Sequence, residues 1–357
     1  MTMGMGAYAG RTVATKVVAT DGTGDYTDIQ TAIDSLTAIG GVVYIKEGTY
    51  TVSTTISITV SNVTLVGAGA ATIIKLANAA NTRNLRVGDG AAAISGVVIS
   101  EIQFDGNRAN NASNLPVVHV SANTADCKVE RCWVIEGDDD GILIDASTTR
   151  THVINNVVYN NDDNGINCAG ATNGTIIQNN FSYSNGGAGI RCVLAGGYTL
   201  IEGNLCAGNT EYGIEAQAAR TNIIGNFCIA NTLDGIYTYS DHHSVIGNWC
   251  AYNNRNGIYV NAGDFCIISN NYVYNSSYNN DNTSSEIQIG DYATYNIVSN
   301  NQCHADDPTY QAKYGILETA TGCDYNLVHA NIVAGQQTDG ILTAGASTVV
   351  TDNIDAV

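Results

Sequence analysis

Proline is nearly absent from this chain of 357 residues, with two in all, and tryptophan, methionine and phenylalanine are almost as scarce at two, three and four. Positive charge is scarce too: 14 Lys and Arg stand against 33 Asp and Glu, a formal net charge of −19. Such a balance repels polyanions and argues against nucleic acid as a partner. No hydrophobic run approaches the ~20 residues a membrane span needs, which argues against a membrane partner. The opening MTMGMGAYAGRTVATK lacks the continuous apolar stretch of a secretory signal. Localisation therefore stays open, extracellular or virion-associated being the expectation if an export signal was removed. Hydrophobic residues make up 44% of the chain and charged ones 13%, enough apolar matter for a long core in one elongated, soluble domain.

What is abundant is punctuation. Gly-Ile recurs at Gly141, Gly165, Gly189, Gly213, Gly235, Gly257, Gly315 and Gly340, with Glu286-Ile287 filling the one vacant slot, in steps of 24, 24, 24, 22, 22, 29, 29 and 25 residues. Asn156, Asn180, Asn204, Asn226, Asn248, Asn271, Asn301 and Asn331 keep the same beat, each after a short apolar pair. Two landmarks in phase at a period in the twenties indicate a solenoid. The leucine-rich signature is missing, and helical repeats need 30 or more residues with a 3.6-residue period. These units are instead short β-branched runs between Asn, Gly, Ser and Asp. A parallel β-helix fits, with about three strands per coil and equivalent residues ~4.8 Å apart on neighbouring coils. Asn tolerates the left-handed turn conformation and bonds along the stack.

Residues 1–60 read as an N-terminal cap and first strands, and 61–357 as the coils. In IQTAIDSLTAIGG, Ile29, Ala32, Ile33 and Leu36 form one helical face, predicting a helix over about 27–38 with Asp25 or Thr27 as its cap. The repeat runs to TDNIDAV without a capping pattern, so either a further segment or another surface is expected over that end. Of ten Cys, Cys206, Cys228 and Cys250 fall two residues after their Asn, and Cys168 and Cys192 share another column. They read as a packed ladder of thiols, not as disulfides or a zinc site. Phe181, Leu205, Phe227, Trp249 and Tyr272 each follow the column Asn, with Tyr159, Tyr183 and Tyr274 two residues further on. This stripe is expected to face the core, which conflicts with a buried Cys ladder, because alternation sends the two columns to opposite faces.

The segment GTGDYTDIQTAIDSLTAIGGVVYIKEGTYTVSTTISITVSNVTLVGAG resembles the entry segment of the pectate-lyase-like β-helix superfamily of polysaccharide lyases, alginate epimerases, polygalacturonases and phage tailspikes. The phrase ISEIQFDGNRANN and the Asn-rich coils after it resemble alginate epimerase catalytic modules. The resemblance implies a right-handed parallel β-helix, all-β apart from its cap, and polysaccharide as the partner. The epimerase acid–base motif Tyr-Gly-Phe-Asp-Pro-His finds its nearest match in Tyr212-Gly213-Ile214-Glu215-Ala216-Gln217, where Gln217 replaces the His.

Alternation in the strand after each Gly turns two columns outward. The first is Leu143, Asn167, Arg191, Glu215, Tyr237, Tyr259, Gln288, Leu317, and the second is Asp145, Ala169, Val193, Gln217, Tyr239, Asn261, Gly290, Thr319. From Asn167 to Gln288 the strip is polar and aromatic, as a saccharide cleft requires. Arg191, Tyr212, Glu215, Tyr237, Tyr239 and His242 are the candidate catalytic residues. Arg191 would neutralise a uronate, Tyr239 or His242 serve as base, and a second Tyr as acid. Asn167, Gln217, Tyr259, Asn261 and Gln288 are the candidate substrate contacts. The structural alternative for Arg191 and Glu215 is a cross-coil ion pair worth ~0.2–1 kcal/mol.

Asp138 and Asp139 precede Asp162 and Asp163 by 24 residues, one coil, so four carboxylates are expected to cluster on one turn. Hard oxygen ligands at that density suit Ca²⁺, the one cofactor suggested; no organic cofactor is. The alternative there is a solvated turn. Lyase-type β-elimination on an acidic, uronate-containing polysaccharide is the leading functional expectation, ahead of epimerase-like and polygalacturonase-like chemistry. The run Glu136-Gly137-Asp138-Asp139-Asp140-Gly141 touches the last of these only superficially. A reading of another class is a non-catalytic, glycan-binding, tailspike-like homotrimer.

Overall fold

The computed structural model describes residues 15–170, 173–193, 198–277, 284–307 and 311–356; all but the last two residues of the opening segment read above for a signal lie outside them. Strands of two to five residues stack into a parallel β-helix, and one coil shows the plan. Thr175–Gln178 lies in the first sheet, Phe181–Tyr183 in the second and Ile190–Val193 in the third, after which Thr199–Glu202 pairs in parallel with Thr175–Gln178 one layer on. Among the described residues the three sheets have 14, 13 and 12 strands.

Each landmark has a steric cause. The corner between first and second sheets is a left-handed residue, Asn179, Asn270 or Asn300 in some coils and Gly203, Gly225 or Gly247 in others, a conformation that Asn and Gly accept readily. The Asn that follows is fully buried. Asn204 donates through Nδ2 to the Ile177 carbonyl at 2.9 Å and to Asn226 Oδ1 at 2.9 Å, and its own Oδ1 accepts from the Asn180 backbone N–H at 2.9 Å. Repeated coil after coil, this satisfies backbone groups at a corner that would otherwise be orphaned. The Gly of Gly-Ile is needed for space. A Cβ on Gly165 would lie 2.0 Å from Ser182 Oγ, 2.7 Å from Asn185 Nδ2 and 2.8 Å from the Gly189 carbonyl.

Inward positions form the core. Ile142, Ile166, Ile190, Ile214, Ile236, Ile258, Ile287 and Ile316 are fully buried along the third sheet, each worth ~1.5–3 kcal/mol by transfer. Ile287 pairs with Ile258, so Glu286-Ile287 does occupy the vacant slot. The facing conflict resolves for cysteine. All ten thiols are free and buried, with Cys206, Cys228 and Cys250 in register. The expectation that the aromatic stripe faces inward fails: Phe181, Phe227 and Trp249 are 51%, 47% and 43% exposed. The buried Asn immediately before each strand is inward, so the next residue must point out.

The cap helix is shorter than expected, Ile29–Asp34, and neither Asp25 nor Thr27 caps it. Asp28 does, accepting from the Thr31 N–H at 2.7 Å, whereas Asp25 accepts from the Val17 N–H. Ile29, Ala32 and Ile33 are buried on the first coils, and Leu36 joins them from beyond the helix end.

Candidate functional site

The outer ribbon of the third sheet is continuous in register. Leu143, Asn167, Arg191, Glu215, Tyr237, Tyr259, Gln288 and Leu317 pair strand to strand without a slip. Residues 22 or more apart in the chain thus become neighbours ~4.8 Å apart.

In the middle of the ribbon, Arg191 Nε donates to Glu215 Oε2 at 2.8 Å, and Gln217 Nε2 donates to Glu215 Oε1. Glu215 is buried at 6% exposure although it points outward, because these neighbours cover it. Next come three tyrosines. Tyr212 stacks on Tyr237 at 4.9 Å between centroids, Tyr259 meets Tyr237 edge-on at 5.5 Å, and Asn261 Nδ2 donates to the Tyr237 hydroxyl at 2.9 Å. Burial pushes Tyr212 and Tyr259 up to about 12 and raises Tyr237 as well. These phenols are neutral at physiological pH, suited to donating hydrogen bonds and ill suited to removing a proton. Tyr239 pairs with Asn261 and is half exposed. His242 lies in the turn beyond the strand, where its ring stacks on Phe265 at 5.4 Å, the start of an aromatic column through Tyr295 and Tyr325.

The same ribbon runs towards the cap through residues that the repeat pattern did not reveal. Leu143 pairs with His119, His119 with Arg86, and Arg86 with Ser57. His119 is 7% exposed. Its Nδ1 lies 2.7 Å from Arg83 Nη1, and its Nε2 lies 3.3 Å from Asp145 Oδ2. Since a guanidinium can only donate, Nδ1 must accept and Nε2 must carry the proton that faces Asp145. Burial first, then the charge of Arg83, hold His119 down to about 4, so the imidazole is neutral at physiological pH. Val-His-Val at 118–120 stands one 24-residue step before Ile142-Leu143-Ile144. It lacks the Gly-Ile phrase because Val117 occupies the glycine position, and the spacing alone carried the signal.

The carboxylate cluster differs from expectation. Asp139, Asp140 and Asp163 present oxygens within 4.8 Å of one another, but Asp138 and Asp162 turn away. Asp138 accepts from the backbone N–H groups of Ser113 and Asn114, and Asp162 pairs with Arg108 Nη1 at 2.6 Å. Asp140 replaces them because it heads a buried amide row. Its Oδ1 accepts from Asn164 Nδ2 at 2.9 Å and its Oδ2 from Asn167 Nδ2 at 2.8 Å. Burial pushes Asp140 up to about 6, and burial together with Asp163 raises Asp139.

A family model described as rhamnogalacturonase A/epimerase, pectate lyase-like matches residues 11–200, and one described as right handed beta helix region matches 140–289. Comparison with curated proteins finds no match. Among solved structures, the A-module of the Azotobacter vinelandii mannuronan C-5 epimerase AlgE6 superposes with a TM-score of 0.82 at 21% identity, covering 91% of this chain and 93% of that one. DFA-IIIase from Arthrobacter chlorophenolicus A6 gives 0.60 at 15% identity, covering 81% and 83%. The enzymatically active domain of bacteriophage CBA120 tailspike protein 2 gives 0.58 at 14%, covering 84% and 44%. The shared architecture is the right-handed parallel β-helix.

Proposed function

Because this chain belongs to the rhamnogalacturonase A/epimerase, pectate lyase-like family, we propose that it is an enzyme acting on an acidic, uronate-containing polysaccharide laid along the third-sheet ribbon, by lyase-type β-elimination. One observation carries this reading. In a protein of net charge −19, Arg83 and Arg86 flank a buried neutral imidazole, His119, on the same ribbon as Arg191. Arg191 stands three strands beyond His119, ~14 Å at the spacing of a parallel sheet.

β-Elimination requires a carboxylate to be neutralised so that the adjacent ring C–H becomes acidic, and a base to take that proton as the C–O bond to the next sugar breaks. Arg83 and Arg86 supply the neutralising charge. Drawing Arg83 onto the substrate carboxylate frees Nδ1 of His119 to accept the proton, while Asp145 holds the opposite ring edge and stabilises the imidazolium that forms; the imidazolium then returns that proton to the leaving glycosidic oxygen as its C–O bond breaks. Arg191, its Nε held by Glu215, serves binding rather than chemistry in this scheme. Tyr237, Tyr259, Asn167, Asn261 and Gln288 offer aromatic edges and amides to sugar hydroxyls.

Asp139, Asp140 and Asp163 would hold a divalent cation. Hard oxygens from two coils suit Ca²⁺, and the repulsion from Asp163, which adds to burial in raising Asp139, is what a cation relieves. Bound there, it would add positive charge beside Arg83, whose own charge already interacts with Asp139.

The test is incubation with alginate, pectate and glycosaminoglycans, with and without Ca²⁺, following the ultraviolet absorbance of unsaturated uronates. His119→Ala is expected to lower kcat by about 10²–10⁴-fold, and Arg191→Ala to raise KM with kcat nearly kept. Full turnover by His119→Ala removes the proposed centre. Inverted sugar stereochemistry without unsaturated product moves the reading to epimerisation, and binding without product to a glycan-binding protein.

A further inference from the structure

The second-sheet face is unused by this chemistry. Across its ten strands from Trp133–Ile135 to Ile354–Ala356, no outward side chain is Asp, Glu, Lys or Arg. Phe181, Phe227, Trp249 and Ile332 stand 51%, 47%, 43% and 46% exposed along it. In a chain with 33 acidic residues, an apolar, uncharged stripe of this length marks an interaction surface.

We propose that this face is the contact between two copies of the chain, packed sheet against sheet. Ring geometry selects protein over sugar as the occupant. Tyr159 and Tyr183 lie 4.9 Å apart with planes 6° from parallel, a separation too short for rings lying side by side in one plane. They therefore overlap face to face along the stack, and Phe227 and Trp249 follow at 6.2 Å and 21°. In these pairs the ring faces that a sugar would stack on are turned towards each other, and the edges project outward. The result is a comb with the pitch of a parallel sheet, ~4.8 Å. A comb of fixed pitch is matched over its whole length by another of equal pitch, which a second copy supplies, and a self-complementary patch is what a two-fold contact needs. Charge agrees: the outward side chains of these ten strands include no carboxylate, Asp306 reaching Tyr274 and His304 from the adjoining turn, whereas acidic faces of a chain at −19 repel each other. Ten strands span roughly 43 Å, and two outward side chains per strand give on the order of 500 Å² per copy, about the 1,000 Å² in total that a specific interface requires. The third-sheet ribbon lies on another side of the coil and stays open in the pair.

Trp133 and Trp249 are the chain's two tryptophans, and both belong to this face, so intrinsic fluorescence reports on it directly. Sedimentation velocity over a dilution series is expected to give the mass of two chains falling to one, with tryptophan emission shifting to the red as they separate. Phe227→Glu with Trp249→Glu, both outward and outside the core, is expected to give one chain at every concentration with a cooperative thermal melt that, unlike that of wild type, does not depend on concentration. A wild-type protein that stays a single chain at the highest concentration, or forms three, overturns the proposal. So does quenching of tryptophan by a neutral polysaccharide at constant mass. None of these readouts depends on lyase activity.

Discussion

At the scale of single residues, the buried titratable groups set how the protein responds to pH, and they pull in opposite directions. Glu286 is fully buried, and burial pushes its carboxyl up to about 8. Its folded value lies above its unfolded one, so its contribution is complete below the ordinary glutamate range and is lost as pH rises through about 8. Wild type is expected to lose thermal stability between pH 5 and 9, and Glu286→Gln to lose less; equal slopes for the two would refute this. His119 and His243 are held down to about 4 by burial. Their contributions are present above about 6.5 and disappear as pH falls towards 4. A neutral His119 base also places the acid limb of kcat/KM near pH 4 instead of 6.5, readable from a pH–rate profile. Little of this was visible in sequence. A spacing places Arg191 beside Glu215, but it does not show that Gln217 closes over the pair, nor that Asp138 and Asp162 each find a partner away from the acidic cluster. Those outcomes depend on side-chain reach and on loops outside the repeat.

At the scale of the element, the coil is legible because one short motif performs the same task in every layer. The left-handed corner residue and the buried Asn after it have different requirements, and two substitutions separate them. Asn179 needs only its backbone conformation, which glycine serves at the same place in Gly203, so Asn179→Gly is expected to be nearly neutral. Asn180 bonds to the Val153 carbonyl and to Asn204 Oδ1, and its own Oδ1 accepts from the Asn156 N–H. Asn180→Ala leaves several buried groups unpaired at ~1–3 kcal/mol each, so its urea midpoint is expected to fall well below that of Asn179→Gly. Matching midpoints would contradict the ladder as a stabilising element. Facing was the harder inference, since a one-residue slip reverses every side chain. The Asn column held the answer: an inward amide fixes the next residue outward, which buries Cys206 and exposes Phe227. The cap helix was legible as an apolar face but not in length, because four residues at helical spacing do not reveal that Leu36 packs from beyond the helix end.

At the scale of the whole molecule, stacking in phase turns a one-dimensional repeat into a ribbon about ten coils long. The reading from Asn167 to Gln288 stands in the structure as one uninterrupted register. The end nearest the cap is not legible in sequence because the Gly-Ile phrase lapses before Gly141. Cation binding at Asp139, Asp140 and Asp163 is expected to raise the melting temperature with added Ca²⁺, and Asp163→Asn to remove most of that rise; an unchanged melt in wild type would dismiss the site. The most direct measurement of the central claim is the ultraviolet absorbance of unsaturated uronates during incubation with a panel of acidic polysaccharides, wild type beside His119→Ala. A rise with at least one polymer that collapses in the variant is the predicted result. Equal rates in the two proteins, or no unsaturated product from any polymer, would contradict it.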